Sequence, residues 1–187
     1  MRAVVIVDGL NLYHALQNFE PDATFLDIPS ISAVYLPKRR DEVHYFYFTS
    51  TPNHKGQAVL EQHFKYVSLL KSANVEIIEG RFQRSLKRCN DCGNKSEIHK
   101  EKETDVSIAL KIIESALDPN TSEILVFSAD SDFAPALKFA KELNPKVRLM
   151  VAQTSSFLRL SPNSLGANAD SVVRLKAEII HNFQFNS

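Results

Sequence analysis

The sequence has no tryptophan, only two cysteines and no excess of either charge. Lysine plus arginine and aspartate plus glutamate each total 22, so no overall field draws the chain to a polyanion. Any nucleic-acid binding would therefore depend on local basic patches. No apolar run approaches the ~20 residues that cross a bilayer, and the first residues, MRAVVIVDG, lack the regions of a signal peptide. We therefore expect a cytoplasmic protein with no membrane partner.

The length and the hydrophobic content of the chain suit one globular domain. The chain has 187 residues, of which 44% are hydrophobic, and twelve phenylalanines supply large side chains for a core. Residues 80–103 differ from the rest because they are basic and polar and hold both cysteines. We therefore expect a single domain over residues 1–187, with an inserted Cys-containing loop or hairpin at about 80–103.

Short apolar runs alternate with stretches of helical periodicity along the rest of the chain. The runs predict strands at 3–7, 43–49, 75–78, 124–127, 147–152 and 172–175. The periodic stretches predict helices at 11–19, 57–73, 105–117 and 133–143, with shorter ones around 30–35 and 177–182. Such alternation implies right-handed crossovers and an α/β fold, with a mainly parallel sheet covered by helices on both faces.

The helix predicted at 105–117 has a clear apolar stripe. Thr104 is placed to cap its N-terminus. The residues that the helical spacing puts on one face are Val106, Ala109, Leu110, Ile113 and Leu117.

Acidic residues follow two of the predicted strands directly. Asp8 ends the first, and Asp130 and Asp132 come just after the fourth, at the edge where parallel sheets carry their sites. Helices that begin near Asn11, Asp105 and Asp132 would direct their N-termini to the same edge, which favours negative charge there. Clustered carboxylates raise one another's pKa unless a cation neutralises them, and such oxygen ligands suit Mg²⁺ or Mn²⁺. The pattern predicts a divalent-metal pocket built from Asp8, Asp105, Asp130 and Asp132.

Each of these polar residues also has a purely structural interpretation. An aspartate at a strand end or helix start is commonly a turn former or a cap. Asp8 abuts an apolar strand, where a buried charge needs a partner. Asn11 either adds an amide ligand or caps its helix, and Ser128 and Ser131 either contact phosphate or satisfy the backbone at the turn.

Three segments carry a resemblance to a known family. VVIVDGLNLYHAL, KETDVSIALKI and ILVFSADSDFAPALKFAKEL, followed by LGANADSVVRL, resemble the NYN domain, LabA-like branch, of the PIN-like nuclease superfamily. The resemblance spans nearly the whole chain. It implies a three-layer Rossmann-like (PIN-like) fold, a Mg²⁺ or Mn²⁺ cofactor and hydrolysis of RNA phosphodiester bonds. The catalytic residues that it implies are Asp8, Asn11, Asp105, Asp130 and Asp132. This chain departs from the family where Glu103-Thr104 stand in place of a frequent Gly-Val, which leaves the aim of Asp105 open.

An acidic pocket repels RNA, so positive groups must lie around its rim. Their phosphate contacts would be salt-dependent and largely independent of sequence. Phe82 is placed to stack on an unpaired base of single-stranded RNA. The alternative is a solvated basic loop, although Lys102 lies only three residues before Asp105. The candidate RNA-binding residues of the insertion are Arg81, Arg84, Lys87, Arg88, Lys95, Lys100 and Lys102.

The two cysteines form a C-x-x-C pair. Cys89 and Cys92, with His99, would supply three of the four ligands of a structural Zn²⁺. The fourth ligand, His63 or an acid, would have to come from elsewhere. The alternative is a pair of free thiols in a hairpin.

Two other functions compete with the metal-dependent ribonuclease. A Mg²⁺-dependent phosphohydrolase that attacks through an aspartate usually shows D-x-D after its first strand, whereas this chain has Asp8-Gly9-Leu10. A non-catalytic module on the same fold would bind RNA or a regulatory protein. A homo-oligomer is compatible with each of these functions.

Overall fold

The computed structural model describes residues 1–20, 25–36, 38, 41–88, 92–154 and 164–185. The strands are Arg2–Asp8 (β1), Glu42–Thr49 (β2), Val75–Glu79 (β3), Arg81–Arg88 (β4), Lys95–Lys102 (β5), Thr121–Phe127 (β6), Arg148–Thr154 (β7) and Ser171–Leu175 (β8). The helices are Gly9–Phe19 (α1), Ile28–Tyr35 (α2), Gln57–Ser72 (α3), Thr104–Leu117 (α4), Ala134–Leu143 (α5), Ser164–Ala167 (α6) and Ala177–Asn182 (α7). A 3-10 turn, Ser131–Phe133, precedes α5. None of the helices in the described residues has the length and apolar character to cross a membrane.

A six-stranded sheet forms the middle layer, in the order β3-β2-β1-β6-β7-β8. Neighbouring strands in it run parallel. Alternate side chains of β1 enter different cores because successive residues of a strand point to opposite faces. Val5 and Val7 pack with α1 and α2, whereas Val4 and Ile6 pack with α4 and α5. The expected three-layer, mainly parallel α/β architecture is therefore confirmed.

The direction in which the chain adds strands reverses between β1 and β6. From β1 the chain moves outward through β2 to β3, and after α4 it returns to β6 on the other side of β1 before moving outward to β8. The loops that follow β1 and β6 therefore diverge and leave a crevice at the carboxyl ends of these strands. Ligands of open parallel sheets bind at such a reversal.

The insertion is a two-stranded antiparallel hairpin. β4 and β5 pair in continuous register from Arg81 opposite Lys102 to Arg88 opposite Lys95. Gly80 lies at the base of the hairpin, where the chain leaves no room for a side chain. A Cβ added there would lie 2.7 Å from the carbonyl oxygen of Lys102 and against the hydroxyl of Thr104. The hairpin form is one of the two that the sequence predicted.

The apolar face predicted for α4 is only partly correct, because Ala109 packs partly buried against the core but other members of the face do not. Val106, Leu110 and Leu117 are 65%, 61% and 62% exposed. Ile108 and Ile112 enter the core instead, together with Ala116. Two apolar stripes run along this helix at helical spacing, and periodicity alone does not say which of them faces the sheet.

The predicted cap of α4 also differs from the observed one. Thr104 is the first helical residue, and Glu103 holds the cap position with φ of 76°, in the left-handed region. No side chain caps the helix start by a hydrogen bond. The hydroxyl of Thr104 faces that of Ser50 at 3.5 Å instead, at the base of the hairpin.

Candidate active site

Asp8 is a buried carboxylate at the point where β1 becomes α1. Its side chain is 4% exposed. One oxygen accepts the backbone N–H of Asn11 at 3.1 Å, and the other accepts the hydroxyl of Ser128 at 3.0 Å. Burial raises the pKa of Asp8 to about 6, although both hydrogen bonds lower it, and the charges of Asp105 and Glu101 raise it further. Asp8 is therefore a strand-end acid that gains from a nearby cation.

The loop after β6 is fixed to Asp8 by a chain of hydrogen bonds. Ser128 Oγ accepts the backbone N–H of Asp130 at 3.0 Å, and Asp130 Oδ1 accepts the backbone N–H of Asp132 at 2.9 Å. Ser128 is buried, so its hydroxyl serves Asp8 and this turn rather than the solvent. Asp130 is half-buried, whereas Ser131 and Asp132 are exposed in the 3-10 turn. The β6 loop thus exposes Asp132 and leaves Asp130 half-buried beside it.

Asp105 lies near enough to interact electrostatically both with Asp8 and with the acids of the β6 loop. It lies in the first turn of α4. Burial raises its pKa, and the charges of Asp130 and Asp132 raise it further. Because Asp105 also raises the pKa of Asp8, the structure brings the four predicted acids into one electrostatic environment.

The donor chemistry of this environment fits a divalent cation. Carboxylates that oppose one another's ionisation are relieved by a positive charge, and oxygen donors are the ligands that Mg²⁺ and Mn²⁺ prefer. In the described part of the chain, no three His, Cys, Asp or Glu side chains already surround one metal position. One or two of these carboxylates would hold the ion, and water molecules would complete its coordination.

Asn11 has a role that neither sequence interpretation included. Its side-chain oxygen accepts the backbone N–H of Ala129 at 3.0 Å. Its own backbone N–H donates to Asp8. Asn11 therefore ties the start of α1 to the β6 loop and holds the two strand ends together.

Glu101 is an acid of the site that the sequence analysis missed. It lies on β5, and its charge raises the pKa of Asp8 and of the buried Tyr47. Its Oε1 atom is buried without a hydrogen-bond partner. The sequence signal is an acid between Lys100 and Lys102 on the segment that leads to Asp105, within an insertion that is otherwise mainly basic.

The hairpin is less basic than its sequence suggests. Arg81 pairs with Glu103 at 2.7 Å and Arg84 pairs with Glu97 at 2.7 Å, so these two predicted RNA contacts have acidic neighbours. Arg88 donates to the carbonyl oxygen of Gly93 at 3.2 Å. The lysines that are exposed along the hairpin are Lys87, Lys95, Lys100 and Lys102.

The predicted zinc site is not assembled by the described residues. Cys89 lies outside them, and Cys92 is a free, exposed thiol. His99 stacks on His54, with ring centroids 4.4 Å apart and planes 5° apart, and approaches Glu97 at 3.1 Å. His63 lies on α3. Zinc binding by the C-x-x-C pair stays a prediction.

The site lies within a segment that defines a known family. The NYN domain matches residues 2–175, a range that includes all the acids described above. The chain belongs to the NYN domain family. The NYN domain is part of the PIN-like nuclease superfamily, in which divalent metals are typical cofactors. The NYN domain predicted from the three sequence segments is therefore confirmed, and the LabA-like branch stays a prediction.

One solved structure agrees with this fold. A protein of unknown function, VPA0982 from Vibrio parahaemolyticus RIMD 2210633, is 17% identical to this NYN domain, with a TM-score of 0.65 over 98% of this chain and 96% of that one. At this identity the likeness shows the fold alone. Phosphofructokinase-2 from Escherichia coli, in complex with potassium, reaches a TM-score of 0.39 at 11% identity, over 78% of this chain and 48% of that one. No curated protein is similar enough to the chain to count as a relative.

Proposed function

We propose that this NYN domain is a divalent-metal-dependent ribonuclease of the LabA-like branch that hydrolyses phosphodiester bonds in single-stranded RNA. One observation carries the proposal: at the reversal point of a nuclease-family sheet, the charge of Asp105 raises the pKa of Asp8, and the charges of Asp130 and Asp132 raise that of Asp105. Carboxylates held this close repel one another when no cation is bound. With a divalent cation bound, they hold it where it can activate water.

The roles of the acids follow from their exposure. Asp105, Asp130 and Asp132 lie toward the crevice and would hold the ion from the solvent side, while the buried Asp8 would hold it from below. When bound, Mg²⁺ or Mn²⁺ supplies a Lewis acid that activates water and offsets charge on the phosphate. Asn11 and Ser128 fix Asp8 and the β6 loop, so that the acids keep their spacing while the substrate binds.

The burial of Asp8 argues against a phosphohydrolase that uses an aspartyl nucleophile. A nucleophilic oxygen must reach the phosphorus atom in line with the leaving group, but Asp8 is 4% exposed and held by hydrogen bonds to both its oxygens. Each oxygen keeps a second lone pair, so the same position still allows Asp8 to bind an adjacent ion. The second acid of a D-x-D motif is also absent, since Leu10 stands in that place. A water molecule held by the acids is the better nucleophile in this crevice.

The test is cleavage of end-labelled single-stranded RNA with Mn²⁺. Asp8→Asn and Asp105→Asn should each reduce the rate on the order of a hundred-fold or more, the scale at which a charge that stabilises the transition state is lost. Glu114→Gln is the matched control, because Glu114 is 70% exposed on α4 and pairs only with Lys111 among the described residues. It should cleave like the wild type.

Three outcomes would contradict the proposal. Equal cleavage by the wild type, Asp8→Asn and Asp105→Asn would remove the acids from the mechanism. Binding of RNA by all of them without cleavage would favour a non-catalytic module. Turnover of a small aryl phosphate with Mg²⁺, without cleavage of RNA, would favour the phosphohydrolase.

A further inference from the structure

A cavity of about 570 Å³ lies beside the acidic site, between α1, the end of β2, α3 and the hairpin. Gly9, which follows Asp8 directly, is part of its wall, and so is Glu101, whose charge acts on Asp8. A volume of this size lies in the range of pockets that hold small ligands. The cavity therefore shares its wall with the chain neighbour of Asp8 but is not lined by the four acids themselves.

Flat rings line the hairpin side of the cavity. The rings of His54 and His99 stack in parallel with centroids 4.4 Å apart, and Phe82 meets His54 edge-on at 4.6 Å. Burial lowers the pKa of His54, and the nearby charges of His99 and Lys55 lower it further. Flat rings in a cleft beside a phosphate-cleaving site suit the π-face of a nucleobase.

Two polar atoms at this wall are buried without partners. These atoms are Oε1 of Glu101 and Nδ1 of His54. A buried polar atom without a hydrogen bond costs about 1–3 kcal/mol, so a ligand that supplies a partner gains affinity. A carboxylate oxygen accepts only, which means that the ligand must bring an N–H or O–H donor to Glu101.

We propose that this cavity holds an unpaired guanine base of the RNA, stacked beside Phe82 and His54 with its N–H groups donating to Glu101. The inference rests on the proposed function, because it names the base next to the phosphate at the acids. Single-stranded RNA is read by stacking on aromatic rings and by hydrogen bonds to the Watson–Crick edge. Guanine alone among the four bases presents two neighbouring N–H groups, N1–H and N2–H, on that edge. Lys55 also lines the cavity and brings a positive charge to it.

The first experiment measures binding of GMP, AMP, CMP and UMP by calorimetry, in EDTA. GMP should bind at least five-fold more tightly than the other three nucleotides. Phe82→Ala should weaken GMP binding by about five-fold to a hundred-fold, the loss seen when one base-stacking ring is removed. Phe139→Ala is the matched control, since Phe139 is an exposed ring on α5, on the other face of the sheet. It should leave GMP binding unchanged.

Glu101→Gln tests the hydrogen bonds to the Watson–Crick edge of guanine separately from the stacking on the aromatic rings. Glutamine keeps the size of the side chain but loses one acceptor and the charge, so the GMP to AMP affinity ratio should fall toward one while AMP binding remains. Short RNAs that differ by a single guanine or adenine in a run of uridines test the source of the base. The guanine RNA should bind more tightly than GMP itself, because its flanking phosphates reach the exposed lysines of the hairpin.

Several results would overturn the inference. Equal affinity for all four nucleotides, or no loss of binding in Phe82→Ala, would remove the guanine site. Tight binding of GMP with weaker binding of the guanine RNA would indicate a free-nucleotide site instead. If Phe82→Ala unfolds, NMR of the wild type decides, because GMP must shift the His54, Phe82 and His99 ring signals, and shifts elsewhere alone refute the site. Binding is measured without metal or cleavage, so a wild type that binds GMP but never cleaves RNA overturns only the proposed function.

Discussion

The metal-free protein should lose stability as the pH rises through the pKa of Asp8. That pKa is about 6 in the folded protein, against an ordinary value of 3.8. The folded state therefore holds this proton more tightly than the unfolded state does. The stability that results is complete below about pH 3.8 and is lost as the pH passes through about 6. For a carboxyl that is 4% exposed, the difference amounts to about 3 kcal/mol at pH 8.

Asp8→Asn removes this pH dependence. Asparagine has nearly the same shape and no charge, but it has only one acceptor oxygen for the two donors, Asn11 N–H and the Ser128 hydroxyl. Loss of one hydrogen bond offsets about 1 kcal/mol of the gain. In EDTA at pH 8 the variant should be more stable than the wild type by about 1–3 kcal/mol, or roughly 2–10 °C in Tm for a chain of this length. At pH 4.5 most of the difference should vanish.

Added Mn²⁺ should reverse the order. A cation that binds only the folded wild type at about a thousand times its Kd stabilises it by about 4.1 kcal/mol, more than the difference in EDTA, whereas Asp8→Asn should gain little. Thermal unfolding at both pH values, with EDTA and with Mn²⁺, measures all four cases, and Glu114→Gln should follow the wild type throughout. The reasoning is refuted if Asp8→Asn is the less stable protein in EDTA at pH 8, or if Mn²⁺ stabilises both proteins equally.

Three further perturbations test other parts of the site. Gly80→Ala should lower the free energy of unfolding, measured in urea, by about 1–3 kcal/mol, because the added methyl group meets Lys102 and Thr104. Gly56→Ala is the control and should change the free energy of unfolding far less, because a Cβ added there has nothing within 4 Å. Equal losses in the two variants would contradict the packing argument. Asn11→Ala should lower the free energy of unfolding by about 0.5–1.5 kcal/mol, because it removes the hydrogen bond to Ala129. It should also lower the rate of RNA cleavage, and an unchanged rate would show that this hydrogen bond does not support the site. Lys102→Ala should reduce the slope of log affinity for single-stranded RNA against log salt by about 0.7 if Lys102 contacts one phosphate, and an unchanged slope would exclude that contact.

Local sequence determined the elements and the placement of most acids. The β-branched run before Asp8 has to be a buried strand, and an aspartate that ends such a strand lies at the site edge of a parallel sheet. The same reasoning located Asp130 and Asp132 after β6. These are properties of neighbours along the chain, which is why a single sequence carries them.

Only the tertiary structure decided which surfaces meet. The sequence of α4 offers two apolar stripes, and packing against the sheet selected Ile108 and Ile112 over Val106 and Leu110. Likewise, the ion pair between Arg81 and Glu103 forms because the two ends of the hairpin lie side by side.

The site shows the same division. The residue types and their positions at strand ends came from the sequence, but the strand order that places β6 beside β1 did not. That order lets Ser128 bond to Asp8, lets Asn11 hold Ala129, and brings Glu101 from the hairpin toward the acids. Contacts between residues far apart in the chain depend on how whole elements pack, and no local pattern encodes that packing.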